Sequence, residues 1–167
     1  MMMVVFDFTD PTAATAWYAI GDQVMGGCSS GQLRPTNHGF AVFEGVVSLA
    51  NNGGFASVRS VPLAQRLPPR AVFVIEARGD GKTYRFVVRT DAAFDGLAYQ
   101  ATFTPAPNTW QTCRFAAADF VPTFRGRPVP APPLRTEATT TVGLMIAGKQ
   151  AGPFALALRR LVVLTEA

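Results

Sequence analysis

Apolar and polar residues alternate with a period of two along most of this chain. Tyr84, Phe86 and Val88 interleave with Thr83, Arg85, Val87 and Arg89. Leu97, Tyr99, Ala101 and Phe103 interleave with Ala98, Gln100 and Thr102, and Phe154, Leu156 and Leu158 repeat the pattern near the end. Successive side chains of an extended segment point to opposite faces, so each run places one side in a core and the other toward solvent or a ligand. The pattern predicts strands at roughly 3–8, 40–43, 45–49, 54–60, 71–78, 83–90, 97–103, 110–115, 140–147 and 153–164. Asp80-Gly81, between two of these runs, reads as a hairpin turn, because a tight turn needs residues that tolerate positive φ. No window of helical length carries an apolar stripe. A short helix is expected only around Asp10 to Ala19, with Thr9 or Asp10 as N-cap and Pro11 in the first position. The proline-rich segment from Arg125 to Pro133 cannot enter a central sheet and is expected as a surface loop.

Many short strands broken by glycine and proline, without helices between them, predict an all-β chain. The expected fold is an antiparallel β-sandwich with at most one or two short helices. No linker divides the chain, and 167 residues suffice for one core, so residues 1–167 are expected to form a single domain. With 49% apolar residues and 13 phenylalanines, bulk disorder is excluded.

The net charge of +4, from 15 basic and 11 acidic residues, is scattered along the chain and argues for no nucleic-acid partner. All but two of the basic residues are arginine; the lysines are Lys82 and Lys149, each after a glycine. No run approaches the roughly 20 apolar residues of a membrane span, so no direct membrane insertion is expected. The opening Met1-Met2-Met3-Val4-Val5-Phe6-Asp7 lacks a basic stretch, and Asp7 and Asp10 interrupt it, which fits neither a secretory nor a transit signal. Cys28 and Cys113 are too few for a disulfide scaffold or a zinc site. Free thiols and a cytoplasmic location are expected.

Four candidate chemistries find no support in their context. Gly27-Cys28-Ser29-Ser30-Gly31 matches the G-x-S-x-G pattern of hydrolases, which requires a sharp strand-to-helix turn and an acid and then a histidine downstream. Here no helical pattern follows, and the only histidine, His38, precedes Glu44 and every later acid. Gly81-Lys82-Thr83 resembles the end of a phosphate-binding loop, but Glu76 stands where the first glycine belongs and a strand follows. His38, between Asn37 and Gly39, reads as a solvated turn residue. No His/Cys/carboxylate cluster points to a metal, and calcium through Asp7 or Asp10 has no specific support. Glu44, Glu76, Asp80, Asp95 and Asp119 offer carboxylate pairs for sugar chemistry, but spacing selects none of them. No catalytic residue, metal or cofactor is therefore assigned.

The arginines are more informative. Arg59, Arg78, Arg85 and Arg89 fall on predicted strands, and Arg85 and Arg89 share the face opposite Tyr84, Phe86 and Val88. Ser57 with Arg59, Glu76 with Arg78, and Gln100 with Thr102 are candidates for the same side. Such a face suits planar anions, carboxylates or a partner's acidic patch. The plainer reading is a solvent-facing sheet whose arginines pair with Glu76 and other local acids. Trp17, Trp110, Tyr84 and Tyr99 are stacking candidates, although aromatics of a sandwich more often fill the core, and phase favours the core for both tyrosines.

Linked blocks run through the chain: Trp17, Gly21-Asp22-Gln23-Val24-Met25-Gly26-Gly27-Cys28-Ser29, Phe43-Glu44-Gly45, Asn51-Asn52-Gly53-Gly54-Phe55-Ala56-Ser57-Val58-Arg59, Arg78-Gly79-Asp80-Gly81-Lys82-Thr83-Tyr84, Trp110, Phe120, Phe124-Arg125-Gly126, Gly143-Leu144-Met145-Ile146, Lys149-Gln150 and Gly152-Pro153-Phe154. In this order they resemble the complex I intermediate-associated protein 30 (CIA30) family. The resemblance implies a jelly roll similar to galactose-binding and carbohydrate-binding domains. It also implies a non-enzymatic binding or assembly-factor module, since mitochondrial members assist assembly of respiratory NADH:ubiquinone oxidoreductase. The implied partner is a protein, such as a subunit of a respiratory or other membrane complex. On that reading Asp22, Asn51, Asn52, Arg59, Arg78, Arg89, Lys149 and Gln150 are the candidate contact residues. The alternative is a carbohydrate-binding module, favoured if an aromatic lies exposed on the concave sheet face.

Overall fold

The computed structural model describes residues 1–21, 29–50, 54–91 and 96–165. Its strands, in chain order, are β1 (Met2–Asp7), β2 (Trp17–Gly21), β3 (Ser30–Pro35), β4 (Ala41–Val47), β5 (Ala56–Ser60), β6 (Val72–Arg78) and β7 (Tyr84–Arg89). They continue with β8 (Ala98–Phe103), β9 (Trp110–Phe115), β10 (Val121–Phe124), β11 (Arg127–Pro128), β12 (Thr141–Ile146) and β13 (Gly152–Leu164). Among the described residues one sheet has the order β3-β4-β13-β6-β9, with β1 also pairing to β13, and the other has the order β11-β10-β8-β7-β12-β5-β2. Every strand pair is antiparallel, so the fold is the expected antiparallel sandwich.

The apolar phase of each strand points between the sheets. Phe43, Phe73, Leu156 and Leu158 from one sheet meet Tyr84, Phe86, Val88 and Ile146 from the other, all fully buried. Edge-to-face ring pairs, including Phe73–Phe86 at 5.1 Å and Phe43–Tyr84 at 6.2 Å, interlock the layers. The short helix is a 3-10 turn at Pro11–Ala16, where the Asp10 carboxylate accepts from the Thr12 N–H at 3.0 Å and Pro11 opens the turn.

Asp80-Gly81 is not a hairpin turn. β6 and β7 lie in different sheets, so the segment crosses the sandwich instead of folding a strand back on its neighbour. Positive φ is indeed required at Gly81, at 86°. The direction of the turn, however, is set by Asp80. One carboxylate oxygen accepts from the Lys82 N–H at 3.0 Å; the other accepts from the Tyr84 hydroxyl at 3.0 Å and from the Ala155 N–H at 2.8 Å. The carboxylate thereby ties the crossing to β13.

The expected strands at 40–43 and 45–49 are one strand, β4. Gly45 continues it because a Cβ there would lie 2.0 Å from the Ser30 carbonyl oxygen, where β3 crowds against β4. Four strands carried no usable alternation. β3 is an edge strand of mostly polar residues, β2 is the edge of the other sheet, and β10 and β11 are very short. The proline-rich segment is not all loop, since Arg127 and Pro128 pair with Phe124 and Thr123. Arg125 and Gly126 supply the two positive φ angles, 51° and 79°, that a two-residue hairpin needs. Pro128 is tolerated because β11 is the sheet edge.

Candidate functional site

The outward side chains of the seven-stranded sheet form three rows across the strands. Ala98, Arg89 and Thr141 make one row. Gln100, Val87, Gly143, Arg59 and Tyr18 make the second, and Thr102, Arg85, Met145, Ser57 and Ile20 the third. Arg85 and Arg89 share the outer side of β7, while Tyr84, Phe86 and Val88 enter the core. Alternation alone foretold that geometry, and Arg59 joins it from β5, half-buried like the other two. Among the described residues, the outward positions of these rows include no carboxylate.

The guanidinium groups are held in place. Arg85 Nη1 donates to Gln100 Oε1 at 3.0 Å, and Arg89 Nη1 donates to the Gly96 carbonyl at 3.3 Å. Val87 points outward between the two arginines yet is only 6% exposed. It is covered on its own face, in keeping with arginine stems lying across the sheet. Tyr18, unnoticed in the sequence, is 44% exposed on the same row as Arg59. It was hidden because β2 shows no alternation.

Arg78 and Glu76 do not belong to this face. They project from β6 on the outside of the six-stranded sheet, because the chain crosses the sandwich between Arg78 and Arg85. There the Arg78 guanidinium lies 5.0 Å from the centre of the Phe40 ring and 5.2 Å from that of Trp110, and Arg159 lies 4.0 Å over Trp110. Glu76 is 3.7 Å from Arg159, and Arg34 pairs with Glu44 at 2.5 Å. This face carries a groove of about 630 Å³ lined by Arg34, His38, Phe40, Arg78, Ala155 and Ala157, among others. Trp110 is thus a surface aromatic, whereas Trp17, Tyr84 and Tyr99 are core.

Gln150 is engaged by the backbone. Its carbonyl oxygen accepts from the Thr83 N–H at 2.9 Å, and its amide nitrogen donates to the Thr83 and Ala147 carbonyls, both at 2.7 Å. It clamps the β12–β13 turn to the start of β7. Lys149 stands in the same turn at a φ of 57°, exposed and packed by its stem against Gly54. Lys82, the other lysine, caps the Pro153 carbonyl at 2.7 Å. Asp22, Asn51 and Asn52 lie outside the described residues.

Ser29 is fully buried, donating to the Ser48 carbonyl at 3.1 Å and accepting from the Ser48 N–H at 2.9 Å. A strand, not a helix, follows it. Among the described residues no three His, Cys, Asp or Glu side chains converge on a metal position. Burial pushes the Cys113 thiol above its usual range, and burial followed by the adjacent Asp80 charge does the same to the Tyr84 hydroxyl.

Residues 6–158 match the family described as complex I intermediate-associated protein 30 (CIA30). The chain belongs to the CIA30 family. No curated protein matches it. Among solved structures, the family 11 carbohydrate-binding module of the cellulosomal cellulase Lic26A-Cel5E of Clostridium thermocellum superposes with a TM-score of 0.75 at 13% identity, covering 99% of this chain and 95% of that one. The family 11 module from the same organism in complex with a β-1,3-1,4-mixed-linked tetrasaccharide gives 0.72 at 13% identity, covering 98% and 95%. The agarase AgWH50C gives 0.63 at 13% identity, covering 99% of this chain but 25% of the agarase. At these identities the likeness is one of fold. Several blocks that carry the CIA30 resemblance have structural duties here. Asp80 and Gln150 tie strand ends together, and Gly79 admits Pro105, whose carbonyl oxygen would lie 2.3 Å from a Cβ.

Proposed function

We propose that this CIA30 chain is a non-enzymatic binding module, acting as one unit over residues 1–167, whose contact surface is the outer face of the seven-stranded sheet. Arg59, Arg85 and Arg89 carry the contact, flanked by Lys149, and the partner is a protein presenting an acidic patch. In the family's setting that partner is a subunit of a respiratory or other membrane complex met on its cytoplasmic side during assembly. The observation that supports this reading is the grouping of the three arginines on neighbouring rows of one sheet face. Pre-held guanidinium forks match planar carboxylates with little loss of side-chain freedom.

Capture of partners by the tagged protein, compared between wild type, Arg59→Ala and Arg89→Ala, tests it. The expected result is loss of the captured protein from both variants, with melting temperatures within a few degrees of wild type. Unchanged capture, or a melting loss that accounts for the defect, would overturn the reading. A second reading, a glycan-binding face, is favoured by Tyr18 standing exposed beside Arg59. It predicts that Tyr18→Ala abolishes retardation in gels containing a mixed-linked β-glucan. Migration unaffected by the glucan in the wild type excludes it.

A further inference from the structure

On the outer face of the six-stranded sheet, strand pairing sets Arg34, Val42, Ala157, Arg78 and Trp110 in one row. The middle of the row is low and its ends are long. Val42 and Ala157 form an apolar floor, and the backbones of Arg34 and Arg78 stand three strand spacings apart, roughly 14 Å. The groove of about 630 Å³ described above lies over this floor. Its volume falls within the range of small-molecule sites, roughly 300–1,000 Å³.

The charges along the groove are answered, except one. Arg34 pairs with Glu44, and Arg159 lies 3.7 Å from Glu76. Asp80 spends its two oxygens on the Lys82 N–H, the Tyr84 hydroxyl and the Ala155 N–H. Arg78 is half-buried, and among the described residues it has no hydrogen bond or ion pair. Its guanidinium rests on the Phe40 and Trp110 rings, which offer no lone-pair acceptor to its five N–H donors. Phe40 is itself fixed, because the Thr36 hydroxyl donates to its carbonyl at 2.6 Å. A guanidinium held in this way matches a planar carboxylate. Glu44 and Asp80 also line the groove, so a single negative charge fits it better than the larger charge of a phosphate. At the other end the Arg34–Glu44 pair offers donors and acceptors together, the set that hydroxyl groups require.

We propose that this groove is a separate binding site for a sugar acid, a hydroxylated ring carrying one carboxylate. The carboxylate accepts from the Arg78 fork, the ring lies over Val42 and Ala157, and hydroxyls at its far side meet Arg34 and Glu44. The site lies on the opposite side of the sandwich from Arg59, Arg85 and Arg89 and does not depend on the protein contact proposed there.

Titrating isotope-labelled protein with glucuronate and with galacturonate, and following backbone amide shifts, tests the proposal. Galactose, acetate and inorganic phosphate serve as comparisons, and oligomers of the two acids separate a free acid from one unit of an acidic chain. Saturable shifts are expected at Phe40, Val42, Arg78 and Ala157 with at least one hexuronate. Galactose and acetate should bind about tenfold more weakly or less, since each lacks one half of the contact. Arg78→Lys keeps a cation against the rings and removes the fork. It should weaken hexuronate binding about tenfold, with a melting temperature within a few degrees of wild type. No saturable shift with either hexuronate, or shifts centred on the seven-stranded sheet, would overturn the site. Acetate or phosphate binding as tightly as the hexuronates would overturn the sugar, and galactose doing so would overturn the carboxylate. An Arg78→Lys protein that titrates like wild type would overturn the role of Arg78. The wild-type comparisons decide the ligand class even where the variant folds poorly.

Discussion

At Tyr84 a single hydroxyl reports on the packing of both sheets. The ring is fully buried, and its O–H donates to an Asp80 carboxylate that also receives the β13 backbone at Ala155. Burial first, then the neighbouring negative charge, raises the phenol above its ordinary 10.0. A group whose folded value is raised contributes stability that is complete below its unfolded value and is lost as pH climbs beyond it. Urea melts should therefore show wild type losing stability above the tyrosine's ordinary 10.0, while Tyr84→Phe loses less over the same range. At neutral pH the variant should already be weaker by about 1.5–3 kcal/mol, the scale of a hydrogen bond to a charged group. An identical alkaline slope in the two proteins would contradict the assignment. Residue type did not announce such duties. Asp80, Gln150 and Ser29 are all polar residues in glycine-rich blocks, and each is occupied by backbone groups far away in the chain.

The same carboxylate governs an element-scale feature, the passage from β6 to β7. A glycine at positive φ after an aspartate is common to hairpins and to crossings, so Asp80-Gly81 alone could not tell them apart. The molecule's two-residue hairpin lies instead at Arg125-Gly126, inside a proline-rich stretch that reads as loop. Asp80→Asn should separate the charge from the shape. An amide keeps one acceptor for the Lys82 N–H but sets an NH2 against two donors, the Tyr84 hydroxyl and the Ala155 N–H. Chemical denaturation is expected to show Asp80→Asn destabilised about as much as Asp80→Ala, roughly 1–3 kcal/mol, the cost of leaving such groups unsatisfied. An asparagine variant as stable as wild type would mean that the crossing does not depend on the carboxylate.

On the scale of the whole molecule, the crossing gives the sandwich two outer faces with different arginine chemistry. Arg59, Arg85 and Arg89 stand on one face; Arg78 stands on the other, among Phe40 and Trp110. Arg78→Ala should therefore leave partner capture unchanged. Its effect should appear as a stability loss of about 0.5–2 kcal/mol, the range for a cation against an aromatic ring. Capture lost with Arg78→Ala while melting stays intact would place the contact surface on the six-stranded sheet.

Period-two alternation at Tyr84–Arg89 and Leu97–Phe103 was enough to determine strand character, the buried side of each strand and the antiparallel sandwich. Those follow from local geometry, because adjacent side chains of a strand must diverge. The linked glycine blocks likewise carried the CIA30 family across the chain. Which sheet a strand joins was decided only by tertiary structure, since β6 and β7 show similar alternation yet part at Asp80. So were the edge strands, the apolar run of β2 and the mostly polar β3, neither of which alternates, and the exposure of Tyr18 on the first of them.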